Sequence, residues 1–253
     1  MINIIRRVSL VASLVFMPVL ALSAHAQSNF QITPPPIAAP DFEAGKVDDK
    51  VGLTYISMSG QGMSLTGFGA DFIRRKAITD AFAWDWQAGM FKLDGKLSGK
   101  NMSLFSLPLS LNIEYQPLKT PTSSAILFAG GNYSMSSVTV DKAVLYIGGT
   151  YWDLNLDIIT HGWQIGGQYT AQLSDFKLSP FVMIQSESGT VKTSYGALNQ
   201  GSSSIPTFTT TSYGLDLLYI PWNVTLSSVL QEAAKSGSNS SVKTTLFTLN
   251  YTF

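Results

Sequence analysis

The sequence predicts an all-β fold, an antiparallel transmembrane up-and-down β-barrel of about ten strands, with eight or twelve left open by the strand count. Three observations predict it. The last eight residues alternate to the end: Phe247, Leu249, Tyr251 and Phe253 share one face of a strand, and Thr248, Asn250 and Thr252 share the other. That pattern suits a strand between lipid and a wet lumen. Charged residues make up 13% of the chain, about half the usual share for a soluble domain, so something other than water must cover much of the surface. Yet beyond the first segment no apolar run reaches the roughly 18 residues of a spanning helix. A closed barrel is then the membrane structure that satisfies its own backbone.

The amino terminus reads as an export signal. Arg6 and Arg7 precede the apolar run Val8 to Leu22, and Ala24-His25-Ala26 is a small-x-small cleavage site before Gln27, the order of a secretory signal peptide cleaved after Ala26. No Cys follows to carry a lipid. The chain has 16 basic and 16 acidic residues; without Arg6 and Arg7 the balance is 14 against 16. No basic surplus is present to bind nucleic acid. Residues 27–50 are polar and Pro-rich (Pro34, Pro35, Pro36, Pro40) without periodicity, and read as an extended periplasmic leader before a barrel over 51–253.

From Val51 onward, period-2 segments alternate with turn chemistry. The clearest is Phe105 to Tyr115: Phe105, Leu107, Leu109, Leu111, Ile113 and Tyr115 oppose Ser106, Ser110, Asn112 and Glu114. Pro108 removes one ladder donor there. The apolar faces are assigned outward, because the opposite faces are rich in Gly, Ser, Thr and Gln. The strands fall at roughly 51–59, 64–75, 80–93, 102–116, 124–137, 160–172, 180–192, 209–220, 223–233 and 242–253. Short turns are expected at 117–123, 174–180 and 220–223, and longer loops at 94–101, 139–159, 194–207 and 233–241. Val144 to Tyr151, placed in a loop, is apolar enough for a strand. Tyr219, Trp222, Tyr251 and Phe253 would form a periplasmic aromatic girdle, and Trp152 and Trp163 an outer one.

The terminal Phe253, with Tyr251 and Leu249 on the same face, resembles the closing strand of Gram-negative outer-membrane β-barrels. With the signal peptide and the hairpin pattern, the chain resembles small outer-membrane barrel proteins at the level of class. The resemblance implies an assembly signal at Phe253, Tyr251 and Leu249 read by the barrel-assembly machinery, transit with periplasmic chaperones, and a bacterial outer membrane of lipid and lipopolysaccharide as the destination.

Candidate chemistry is sparse. In the assigned register Asp71, Arg75, Asp85, Glu114 and Asp216 face the lumen, where charges must pair. They would lock a polar interior or, on a second reading, form a constriction selecting small solutes. Arg74-Arg75-Lys76 is the one basic cluster after the signal, expected at a solvated turn. His161, the one histidine after the signal, would stand at the outer end of a strand. A catalytic role would pair it with Asp153 or Asp157 and a Ser nucleophile, but no motif of outer-membrane proteases, deacylases or phospholipases surrounds it. No phosphate loop, metal spacing or cofactor motif is visible. The expectation is a porin-like or structural barrel without catalysis. A barrel whose loops recognise a partner, and a lipid-active enzyme using His161, are the alternatives.

Overall fold

The computed structural model describes Ile32 and residues 42–145, 151–195, 198–234 and 242–253. The signal peptide and most of the leader lie outside the described residues. Ten strands close into one antiparallel barrel: β1 (Val47–Gly60), β2 (Met63–Ala77), β3 (Phe82–Leu97), β4 (Lys100–Lys119), β5 (Ser123–Leu145), β6 (Tyr151–Leu173), β7 (Phe176–Tyr195), β8 (Leu198–Tyr219), β9 (Val224–Ala234) and β10 (Val242–Thr252). Each strand pairs with its sequence neighbours. β1 pairs with β10, Val51 opposite Tyr251 and Tyr55 opposite Phe247, which leaves no free edge. The even count puts both ends of the sheet on one rim, where Phe253 exchanges backbone hydrogen bonds with Asp49.

Several boundaries differ from the sequence reading. β1 begins at Val47, inside the stretch assigned to the leader. The expected loop at 94–101 shrinks to the two-residue turn Ser98-Gly99, with φ of 49° and 83°. Gln61-Gly62 makes the same kind of turn, with φ of 52° and 76°; positive φ at both central positions suits a tight hairpin. Most of 139–159 and 194–207 is strand, so β5 and β6 each run 23 residues and β7 and β8 run 20 and 22, about twice the length needed to span a bilayer. Val144 and Leu145 belong to β5 and Tyr151 to β6, paired across the top of the barrel.

The physical reason for these long strands is that their polarity inverts part of the way up. In the half that holds the chain ends the outward rows are apolar and exposed, such as Tyr115, Ile113, Leu111 and Leu109 on β4, and the inward rows are mainly polar, with Ile73, Phe128, Phe181 and Met183 set among them. Higher up, the faces exchange character. On β4 the outward row passes from Phe105 to Ser103 as the inward row passes from Ser106 to Leu104. On β5 the outward change is Met135 to Ser137 and the inward change Ser136 to Val138; on β10 they are Phe247 to Thr245 and Thr248 to Leu246. The lower half is therefore a lipid-facing barrel, and the upper half has the water-facing exterior and apolar core of a soluble one. The Ser, Thr, Asn and Asp of the upper exterior read as loop composition, which is why the sequence pattern predicts shorter strands.

Every strand contributes to the upper core, including Ile56, Leu65, Leu104, Leu156, Val191 and Leu246. Tyr195, at the outer tip of β7, is part of it, and burial pushes its phenol pKa up. Trp152 turns inward and packs on this core, so of the two tryptophans expected in the outer girdle only Trp163 faces outward. At the lower rim Phe82 stacks on Tyr115 at 5.0 Å, Tyr219 packs edge-on against Trp222 at 5.4 Å, and Tyr251 stacks on Phe253 at 6.0 Å. These rings sit where amphipathic aromatics favour the membrane interface.

Candidate functional site

The candidate site is the lower lumen. Strand parity places Asp71, Arg75, Asp85, Glu114 and Asp216 on the inner wall, and all five are buried. Arg75 on β2 reaches across β3 to Glu114 on β4, its Nε 2.5 Å from Oε2 and its Nη2 2.8 Å from Oε1. The fork-to-fork geometry suits a guanidinium and a carboxylate. Lys50, which the leader assignment hid, faces inward from β1 with its Nζ 3.9 Å from Asp71 Oδ2. The parity of Gly52 and Thr54 could have revealed it. Arg74 and Lys76 flank Arg75 on the outward face of β2, so the basic cluster is a strand segment instead of a turn. Arg74 pairs at the rim with Asp49, at 2.7 Å.

Uncharged groups complete a belt across the lumen. Asp85 Oδ1 accepts from Gln87 Nε2 at 3.1 Å and from Asn112 Nδ2 at 2.9 Å. Gln164 Nε2 then donates to Asn112 Oδ1 at 2.6 Å, and Gln185 Nε2 donates to Gln164 Oε1 at 3.0 Å. This chain runs from β3 to β7 and passes over Gly130 on β5. A Cβ there would fall 2.3 Å from Asn112 Oδ1 and 2.0 Å from the Leu111 carbonyl, so only glycine lets the amides meet. Opposite, Gln168 donates to Asp216 at 3.0 Å, Thr54 donates to Asp71 at 3.2 Å, and Asn250 donates to Ser227 at 3.0 Å. With Glu187, the described buried residues hold five carboxylates against the two cations Lys50 and Arg75. At the rim that holds the chain ends, a vestibule of about 480 Å³ lies at the ends of β4 to β7, lined by Lys119, Ser124, Thr170, Gln172 and Lys177 among others.

The catalytic alternative fares differently. His161 lies within β6, paired with Tyr133 and Ser188, and is exposed on the outer face, above Trp163. Asp157 and Asp153 share that face but are four and eight residues away along an extended strand, about 13 Å and 26 Å at 3.3 Å per residue. Asp157 Oδ1 accepts from Ser137, and Asp153 Oδ1 accepts from the Lys142 amide. The structure does not bring the three together. Among the described residues no group of three or more His, Cys, Asp and Glu is placed to hold a metal ion.

No protein-family model matches the sequence, and no curated protein matches it either. Solved structures match by fold. The outer-membrane protease OmpT from Escherichia coli superposes with a TM-score of 0.57 at 11% identity, covering 85% of this chain and 99% of its own. The translocator domain of the autotransporter NalP from Neisseria meningitidis gives 0.49 at 8% identity, over 95% of this chain and 97% of that one. The attachment invasion locus protein Ail of Yersinia pestis gives 0.37 at 13%, over 83% and 99%. At these identities the likeness speaks to fold alone. The closed ten-stranded meander, with lipid-facing apolar rows and a polar lumen below, is the fold of Gram-negative outer-membrane β-barrel proteins.

Proposed function

We propose that the protein is a non-catalytic outer-membrane barrel, porin-like in architecture and shut at rest. The observation that carries this reading is that inward side chains are buried through both halves of the lumen, mainly polar below and apolar above. A water-filled diffusion pore would leave its inward residues accessible. A packed apolar bore also excludes ions by staying dry. The separation of His161 from Asp157 and Asp153 supports the absence of catalysis. In planar bilayers the purified protein is expected to give no steady open-channel current; a steady ohmic conductance would overturn the closed reading. A lipid-cleaving activity that disappears on His161→Ala would overturn the non-catalytic one.

A second reading, recognition of an external partner, is favoured by the polar exterior of the upper barrel, where Ser137, Thr139, Asn155 and Asp157 face outward on β5 and β6. Cell or matrix binding lost on replacing those four would support it, and binding unchanged by that replacement would count against it. For assembly, Phe253 stacks on Tyr251 at the rim and is exposed to lipid, as suits a terminal signal read before closure. Phe253→Ala should lower the folded yield in cells while leaving refolding of the purified chain into vesicles unchanged.

A further inference from the structure

A ten-stranded barrel is wider than its own side chains can fill. Barrel diameter grows with strand number, and about eight strands already give an interior that inward side chains just occupy. Here all ten strands place buried apolar residues in the upper core, so a further contributor must lie along the axis. It is seen at two points ahead of β1. Ile32 is fully buried and belongs to the upper core, in the same cluster as Ile56, Leu65, Leu104 and Leu154. Phe42 is fully buried at the periplasmic mouth among Ala77, Ala83 and Ile126.

Phe42 is held by specific contacts. The Arg75 guanidinium lies 5.6 Å from its ring centroid, within cation–π range. Its carbonyl accepts from Lys119 Nζ at 2.7 Å. The ring thus covers the Arg75–Glu114 pair from below and helps keep it dry. The residues that follow are tied to the turn between β2 and β3: the Ala44 amide donates to Asp80 Oδ1 at 3.0 Å, the Gly45 amide donates to the Ala77 carbonyl at 3.0 Å, and the Ala77 amide donates to the Lys46 carbonyl at 2.9 Å. Residues 42–46 are therefore fastened to β2, β3 and β4 at the mouth. An extended leader free in the periplasm would bury neither Phe42 nor Ile32.

We infer that two residues from ahead of β1 plug the barrel, Phe42 stoppering the lower mouth and Ile32 completing the upper core. The inference rests on the closed-at-rest reading and deepens it, since it names what does the closing.

The chain has no cysteine, so single introduced thiols report position cleanly. In the folded protein in lipid vesicles, Ile32→Cys and Phe42→Cys should resist a water-soluble maleimide, and the exposed control Glu43→Cys should react at the rate of an unfolded thiol. Labelling of Ile32→Cys as fast as Glu43→Cys overturns the plug. Conductance is then compared for the wild type, Ile32→Asp/Phe42→Ala and a chain lacking residues 27–42, each shown folded by its heat-dependent gel shift. Current-carrying openings in the variants, with a silent wild type, are expected. Folded variants as silent as the wild type overturn the plug and leave the closed reading standing, whereas a steadily conducting wild type overturns both. If the deletion fails to fold, the substituted chain and the thiol labelling still decide.

Discussion

Arg75 is buried on a barrel wall with lipid behind it, and its charge is tolerated because Glu114 meets it with two hydrogen bonds and Phe42 seals it from below. Removing one partner of such a pair leaves an uncompensated buried charge, which costs about 3–5 kcal/mol. Glu114→Gln should therefore lower stability by roughly that amount in urea titrations of the protein in lipid vesicles. Arg75→Met/Glu114→Leu should cost much less, since it removes both charges. Equal losses in the two variants would mean that shape, and not charge pairing, matters at this point. Gly130→Val should disrupt the Asn112–Gln164 contact and broaden the unfolding transition, because the new side chain has nowhere to go. The residue scale was partly legible. Parity alone placed five charged residues on the inner wall, because side-chain direction in a strand depends only on odd or even number. Lys50 is not legible from the local pattern, because the polar start of β1 at Val47–Lys50 resembles linker. The plugging residues Ile32 and Phe42 carry no periodicity, so nothing local in the sequence distinguishes them from linker.

A single strand here serves two solvents. β4 presents Leu111 to lipid and Asn112 to a polar lumen, and some eight residues away it presents Ser103 to water and Leu104 to an apolar core. Period-2 alternation is kept throughout, so a reading based on period alone sees one strand, and a reading based on which face is apolar sees it stop. That is why the strands at 102–116, 124–137 and 160–172 were expected to end near the polarity switch, with loops beyond. A lipid-facing barrel and one with a water-facing exterior and apolar interior are both present, stacked end to end. Substitutions at four positions of this element should separate them by gel shift and urea titration. Leu111→Arg should cost about 2–4 kcal/mol at a lipid-facing position, and Ser103→Arg should stay within about 0.5 kcal/mol. Leu104→Ala should cost about 2–5 kcal/mol as a core truncation, and Leu109→Ser should cost less than Leu104→Ser because lipid can fill the space. A costly Ser103→Arg would place that level inside the hydrocarbon and refute the switch.

At the scale of the whole molecule, the inner and outer switches coincide on β1, β4, β5, β8 and β10, at Tyr55–Ser57 outside and Thr54–Ile56 inside on β1, and at Tyr213–Thr211 and Thr210–Phe208 on β8. The register ties these levels together around the wall, with Tyr55 opposite both Phe247 and Phe68. Such a ring works like the waterline of a floating hull, fixing how deep the molecule rides. If the barrel sank by one outward row, Ser103, Ser137 and Asp157 would enter hydrocarbon; if it rose by one, the rings at the lower rim would leave the interface. Bilayers thicker than the apolar belt must therefore thin around it, at a cost of fractions of a kcal/mol per Å of mismatch. Folding efficiency in phosphatidylcholine vesicles should peak at one acyl-chain length and fall on both sides, with a spin label at Ser137 staying in water throughout. The same ring makes depth a property of the closed barrel alone: an isolated hairpin, with one polar and one apolar stretch on each of its faces, has no height at which both are satisfied, so the strands can settle in the membrane only together.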